Sequence, residues 1–138
     1  MGLTINLDPK IYDGKWEEYQ PGVRALIAPY TRRIIRKIMA AATVVDPATG
    51  EGRVDPELWD QHLYRAIILD IEGLTGPDGE PLPRSDAAID AVCDQVMGFA
   101  AWAYERSRKA AASMAQAEEA ELKNSSRSHG GKPKGRKG

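Results

Sequence analysis

The sequence predicts a mainly α, α+β protein with three or so helices, a small N-terminal β-hairpin element, a long C-terminal helix and a disordered basic tail. Three observations point there. Apolar residues recur at helical spacing in three stretches after residue 31. Near the N-terminus, short alternating runs are separated by turn dipeptides instead. Between the second and third helical stretches, Asp70 to Ser85 carries Gly73, Gly76, Gly79, Pro77, Pro81 and Pro83, a composition that neither a helix nor a central strand survives.

The elements follow in order. Leu3, Ile5 and Leu7 alternate with Thr4 and Asn6, which is strand periodicity. Asp13-Gly14 between Ile11-Tyr12 and Lys15-Trp16 is a hairpin signal. Tyr19-Gln20-Pro21-Gly22 is a further turn, and Val23 to Ile27 a further strand, so the β element spans residues 3–28. A helical part covers 31–122. Thr31 N-caps the first helix, which places Ile34, Ile35, Ile38, Met39 and Ala42 on one face and Arg32, Arg33, Arg36 and Lys37 on the other. Val44-Val45 and Pro47 end it, and Asp46 to Gly52 is a loop. Asp55 caps the second helix, and Pro56 sits at its first position, where a missing N–H costs nothing. Its apolar stripe is Leu58 or Trp59, then Leu63, Ala66, Ile67 and Ile71, and Gly73 stops it.

Ser85, with Asp86 behind it, starts the third and longest helical pattern, which runs to about Leu122. Ile89, Val92, Cys93, Val96, Phe99, Ala100 and Ala103 form its apolar face. Beyond Tyr104 the residues are strong helix formers with almost no large apolar side chains, so this half projects from the core or awaits a partner. From residue 123 to 138 the chain cannot bury enough apolar surface to offset its ordering entropy and is expected to be a disordered basic tail. One domain, residues 1–122, precedes it.

Bulk properties exclude several classes. The chain has 138 residues, enough for one domain with a core, of which 42 % are apolar and 28 % charged, ordinary for a globular protein. No apolar run approaches the ~18 residues of a membrane span, and the first residues lack the layout of a secretory signal. Asn6 is a poor fit to a myristoylation signal after Gly2. A single cysteine, Cys93, excludes an internal disulfide framework and fits a reducing cytoplasm. The net charge of −1 conceals an asymmetry. Six of the 19 Lys and Arg lie in residues 123–138, leaving 13 against 20 acids, a charge of −7, on the rest.

Candidate chemistry is sparse. His62 has only His129, in the tail, as a histidine companion, and no metal-ligand spacing is present, so His62 reads as a boundary residue and no metal or cofactor is expected. Cys93 lies on an apolar stripe with Ile89, Val92 and Val96 and reads as structural rather than nucleophilic. Asp78-Gly79-Glu80 lacks EF-hand spacing, and Gly73, Gly76 and Gly79 lack the Lys-Ser/Thr pair of a phosphate cradle. Tyr12, Trp16, Tyr19 and Tyr30 read as packing for a small sheet rather than as a base-stacking platform. Trp102 and Tyr104 lie off the main stripe, either under the N-terminal element or in a protein interface. The basic tail suits phosphate, an acidic protein surface or mere solubility, and the acidic body opposes nucleic acid as the expected partner.

Three segments together resemble the tail assembly chaperones of long-tailed (siphovirus-like) bacteriophages. Asp13-Gly14-Lys15-Trp16-Glu17-Glu18-Tyr19 with Pro21-Gly22-Val23 looks like the family's aromatic N-terminal segment before an Arg-rich helix. Asp70-Ile71-Glu72-Gly73-Leu74 with Asp78 to Ser85 looks like its central turn, with Ile71 where the family often has Trp. Glu121-Leu122-Lys123-Asn124-Ser125 resembles the end of its last helix. The resemblance implies a non-enzymatic protein that binds the phage tape measure protein and helps recruit tail tube subunits during tail morphogenesis. It implies action in the host cytoplasm and absence from the mature virion. Many members are made in two lengths by programmed frameshifting, so this chain would be the short form or the shared N-terminal part. The major tail tube protein is a second candidate partner and self-association a third option.

Composition places the expected contact region at Trp102, Ala110, Ala111, Met114, Ala115 and Ala117, where small side chains allow close helix approach and Met adapts to varied partners. Lys132, Lys134 and Arg136 of the tail are further candidate contacts. A neck or minor tail protein retained in the virion, and a nucleic-acid-binding regulator using the basic tail, are the rival readings.

Overall fold

A computed structural model describes residues 14–130. Its elements, in order, are β1 (Lys15–Gln20), β2 (Val23–Ile27), α1 (Arg32–Ala42), β3 (Thr43–Val45), β4 (Gly52–Val54), α2 (Pro56–Ile67), β5 (Ile68–Glu72), α3 (Asp86–Gln95) and α4 (Phe99–Gly130). The fold is mainly helical with a small antiparallel sheet, as the sequence predicts.

The sheet has strand order β1-β2-β5, all antiparallel. The β1–β2 hairpin turns at Pro21-Gly22, where Gly22 takes a φ of 87°. Ala25 and Ile27 point to the core, while Arg24 on the other face pairs with Glu72 of β5 at 2.7 Å and stacks over Trp16 at 4.3 Å. The strand expected at Leu3–Leu7 and the first arm of a hairpin over Asp13-Gly14 lie outside the described residues.

All three expected helix starts hold. Thr31, Asp55 and Ser85 are N-caps whose side chains accept from Ile34, from Glu57 and Leu58, and from Ala88. Each supplies one of the acceptors that a helix's first N–H groups otherwise lack.

Four boundaries differ from the expectation. First, α2 ends at Ile67, and Ile71 is not on its stripe. The Ile-rich run Ile68-Leu69-Asp70-Ile71 leaves the helix for β5, because β2 offers a ladder in which Ala25 faces Ile71. Gly73 ends that strand rather than the helix. At φ 98° it passes so close to Gly22 that a Cβ there would overlap the Gly22 carbonyl. The β element is thus not confined to 3–28. Arg84 closes the abandoned helix end, donating to the carbonyls of Arg65 at 2.9 Å and Ile68 at 3.3 Å.

Second, Val44-Val45 does end α1, but as β3 of a two-stranded hairpin with β4, looped over Asp46–Glu51. Third, the long helical pattern from Ser85 is two helices. α3 stops at Gln95 and the chain turns through Val96-Met97-Gly98, with Gly98 at φ 86°. Fourth, α4 continues to Gly130, past Leu122, so residues 123–130 of the expected tail are helical.

The core lies between the sheet and the helices. Ile27, Ile38, Ile67, Ile68, Ile89, Phe99 and Ala103 are fully buried within it. Arg65 grips Asp90 with two hydrogen bonds, 3.0 and 2.6 Å, and so fastens α2 to α3.

Candidate functional site

The geometry of α4 decides what the molecule can present. Its first turns are locked to the β element. Phe99 and Trp102 meet Tyr19 edge-on with ring centroids 5.0 and 5.1 Å apart, and Tyr104 meets Tyr30 at 5.4 Å. Buried Ser107 donates from Oγ to the Ala28 carbonyl at 2.6 Å, and its own carbonyl accepts from the Tyr30 N–H at 3.0 Å. These bonds take up the backbone polar groups where β2 runs out towards α1. Ser107 is also the last buried residue of α4 among those whose side chains are described.

Beyond it the helix runs on for residues 108–130. Ala110, Ala111 and Met114 are half-buried, while Ala112, Ala115, Ala117 and Leu122 are exposed. The expected contact region therefore divides. Ala110, Ala111, Met114, Ala115 and Ala117 lie on this outer stretch. Trp102 lies against Tyr19 and Phe99 under the hairpin, which is one of the two places the sequence left open for it. Lys132, Lys134 and Arg136 lie outside the described residues.

Clefts among the described residues flank the helical layer. One, of about 280 Å³, lies between α1, α2 and the start of α3 and brings Lys37, His62, Arg65 and Arg84 towards Asp86. Both arginines already hold carboxylates, Asp90 and Asp86. The other, of about 620 Å³, is wide and acidic, with Glu57, Asp60, Asp90 and Asp94 among its lining. Cys93 opens onto it. Burial, then the Asp90 and Asp60 charges, push the Cys93 thiol up to about 12, so it stays protonated at neutral pH and packs against the core. The hydrogen bond from Arg65 holds Asp90 below its ordinary value despite partial desolvation. Among the described residues no three His, Cys, Asp or Glu side chains converge in a way that could hold a metal ion. Among them, too, no helix is long and apolar enough to cross a membrane.

Comparison with protein-family models, with curated proteins and with solved structures gave no match.

Sequence reasoning offered Trp102 a place under the N-terminal element but did not pair it with Tyr19, nor Ser107 with Ala28. Both join residues far apart in the chain, and periodicity carries no information at that separation. The signal present was the cluster of aromatics at both ends of that gap.

Proposed function

We propose that this protein is a tail assembly chaperone of a long-tailed bacteriophage, which covers helices of the tape measure protein during tail assembly and makes or breaks no covalent bond. The observation that carries the reading is the second half of α4. In a helix of about 48 Å, at ~1.5 Å per residue, no side chain beyond Ser107 is fully buried among those described. The remainder offers Ala110, Ala111, Met114 and Ala117, a narrow surface of small side chains against which a long partner helix can lie closely and from which it can be released. The three resembling segments supply the choice of partner.

Coexpression with the tape measure protein encoded in the same genome tests this. The expected result is that the tape measure protein becomes soluble and copurifies with the chain, and that Met114→Glu loses it while the far-UV spectrum is unchanged. A tape measure protein equally insoluble with and without the chain overturns the reading. Mass spectrometry of purified particles should find the chain absent; its presence there favours a structural virion component.

A further inference from the structure

The cleft of about 280 Å³ between α1, α2 and the start of α3 gathers basic side chains from three parts of the fold: Lys37 from α1, His62 and Arg65 from α2, and Arg84 from the chain just before α3. Their states differ. Arg65 is committed to Asp90 by two hydrogen bonds. Arg84 is anchored through Nε and Nη2 on the carbonyls of Ile68 and Arg65, which leaves Nη1 for Asp86 at 3.1 Å. That last pair is the weak one, because it is a single bond and the Asp86 side chain is 59 % exposed. Lys37 is exposed and makes no ion pair or hydrogen bond among the described residues, and His62 hydrogen-bonds to none of them. The cleft thus holds donors that the fold does not use, beside a guanidinium already fixed in place, so a ligand loses little by ordering it.

The charge of the walls selects the ligand. Lys37, Arg65 and Arg84 against Asp86 and Asp90 leave one net positive charge, with His62 neutral. One monoanion balances that. A phosphomonoester carries close to two negative charges and would face both carboxylates in excess. A polyanion meets, in addition, the −7 of residues 1–122. The rest of the lining is apolar, from Ile38, Ala41 and Ala66. A carboxylate on a short aliphatic stem suits both features. Outside the cleft on the same helix, Arg32 and Arg36 are exposed one turn apart and make no ion pair among the described residues. Further acidic side chains on the same segment would pass them.

We propose that this cleft is a docking site for a glutamate side chain on an acidic segment of a partner protein. The carboxylate takes Lys37 Nζ and Arg84 Nη1, displacing Asp86 from the latter, and its methylene stem lies along Ile38 and Ala66. The site is independent of the chaperone reading, which rests on α4, so Met114→Glu should leave binding in the cleft intact.

Amide NMR titration of the full chain tests it. The probes are an N-acetylated, C-amidated peptide with glutamate at every fourth position among alanines, and its glutamine counterpart, at fixed ionic strength. The glutamate peptide should shift the amides around Lys37, His62 and Arg84 with a dissociation constant on the order of 1 mM, and the glutamine peptide should not. Lys37→Glu should weaken binding at least ~10-fold, and Asp86→Asn should tighten it about 3-fold by removing the competing carboxylate. Lys109→Glu, the same change of charge on α4, should leave it unaltered. All three positions are exposed, and a far-UV spectrum confirms that each variant keeps the fold. No shift at about 5 mM glutamate peptide overturns the inference. So does equal weakening by Lys37→Glu and Lys109→Glu, which is diffuse attraction only, or an Asp86→Asn chain that binds no more tightly. Inorganic phosphate or a single-stranded oligonucleotide that moves the same amides at lower concentration than the peptide overturns it in favour of a phosphate site.

Discussion

Two residues near the boundary of α2 and α3 show what burial and charge do here. Cys93 is half-buried between them, and its thiol is held up at about 12, so at pH 8 the thiolate fraction is on the order of 10⁻⁴. Alkylation by iodoacetamide at pH 8 should accordingly be far slower in the native chain than in urea, a difference that mass spectrometry reads directly. Asp90 behaves in the opposite sense. Its carboxylate is lowered by Arg65, so the folded state binds its proton less readily than the unfolded chain. The stabilisation is present above the ordinary carboxylate value, about 4, and is lost as the pH falls through the depressed one. Asp90→Asn should therefore lower stability at pH 7 by no more than about 1 kcal/mol, since the pair is partly solvated, and the gap should close at acid pH, once the depressed carboxylate is protonated. Urea titrations at the two pH values measure it.

At the scale of elements, what was legible in the sequence was whatever is decided locally. Thr31, Asp55 and Ser85 act on N–H groups two or three residues away, so the sequence alone identifies them as caps. Strand β5 was not legible, because Ile68 to Glu72 suits helix or strand and the choice falls to β2, with Arg24 opposite Glu72. The break before α4 was hidden for a different reason. Val96 and Phe99 are three apart and keep the helical period across it, although Val96 is partly exposed and Phe99 fully buried. The two glycines that punctuate these errors differ in their surroundings. Gly98 has positive φ but open space around its absent Cβ, so Gly98→Ala should cost only the left-handed strain, about 1–2 kcal/mol. Gly73 adds a backbone overlap with Gly22, so Gly73→Ala should be clearly the more destabilising, by several kcal/mol or to the point of not folding. Thermal denaturation of the two variants ranks them, and equal melting temperatures would contradict the close approach of Gly73 to Gly22.

On the scale of the whole molecule, a body held by aromatic packing carries a helix whose sides differ. The composition of α4 pointed to a contact region, but composition does not divide a helix into faces. That division needs to know which side Phe99, Ala103 and Ser107 commit to the body. With that side fixed, Ala110, Met114 and Ala117 continue the body-facing side past the domain, and Ala112, Ala115 and Glu119 lie away from it. A partner that lies along one side of α4 is distinguishable by mutation from one that surrounds it. Ala112→Glu, on the side turned away from the body, should still keep the coexpressed tape measure protein soluble, whereas Met114→Glu should lose the partner. The result is read from the soluble fraction of the two preparations, with a far-UV spectrum of each variant. Were both substitutions to lose the partner from a folded chain, the tape measure protein would have to surround α4 rather than lie along one side of it.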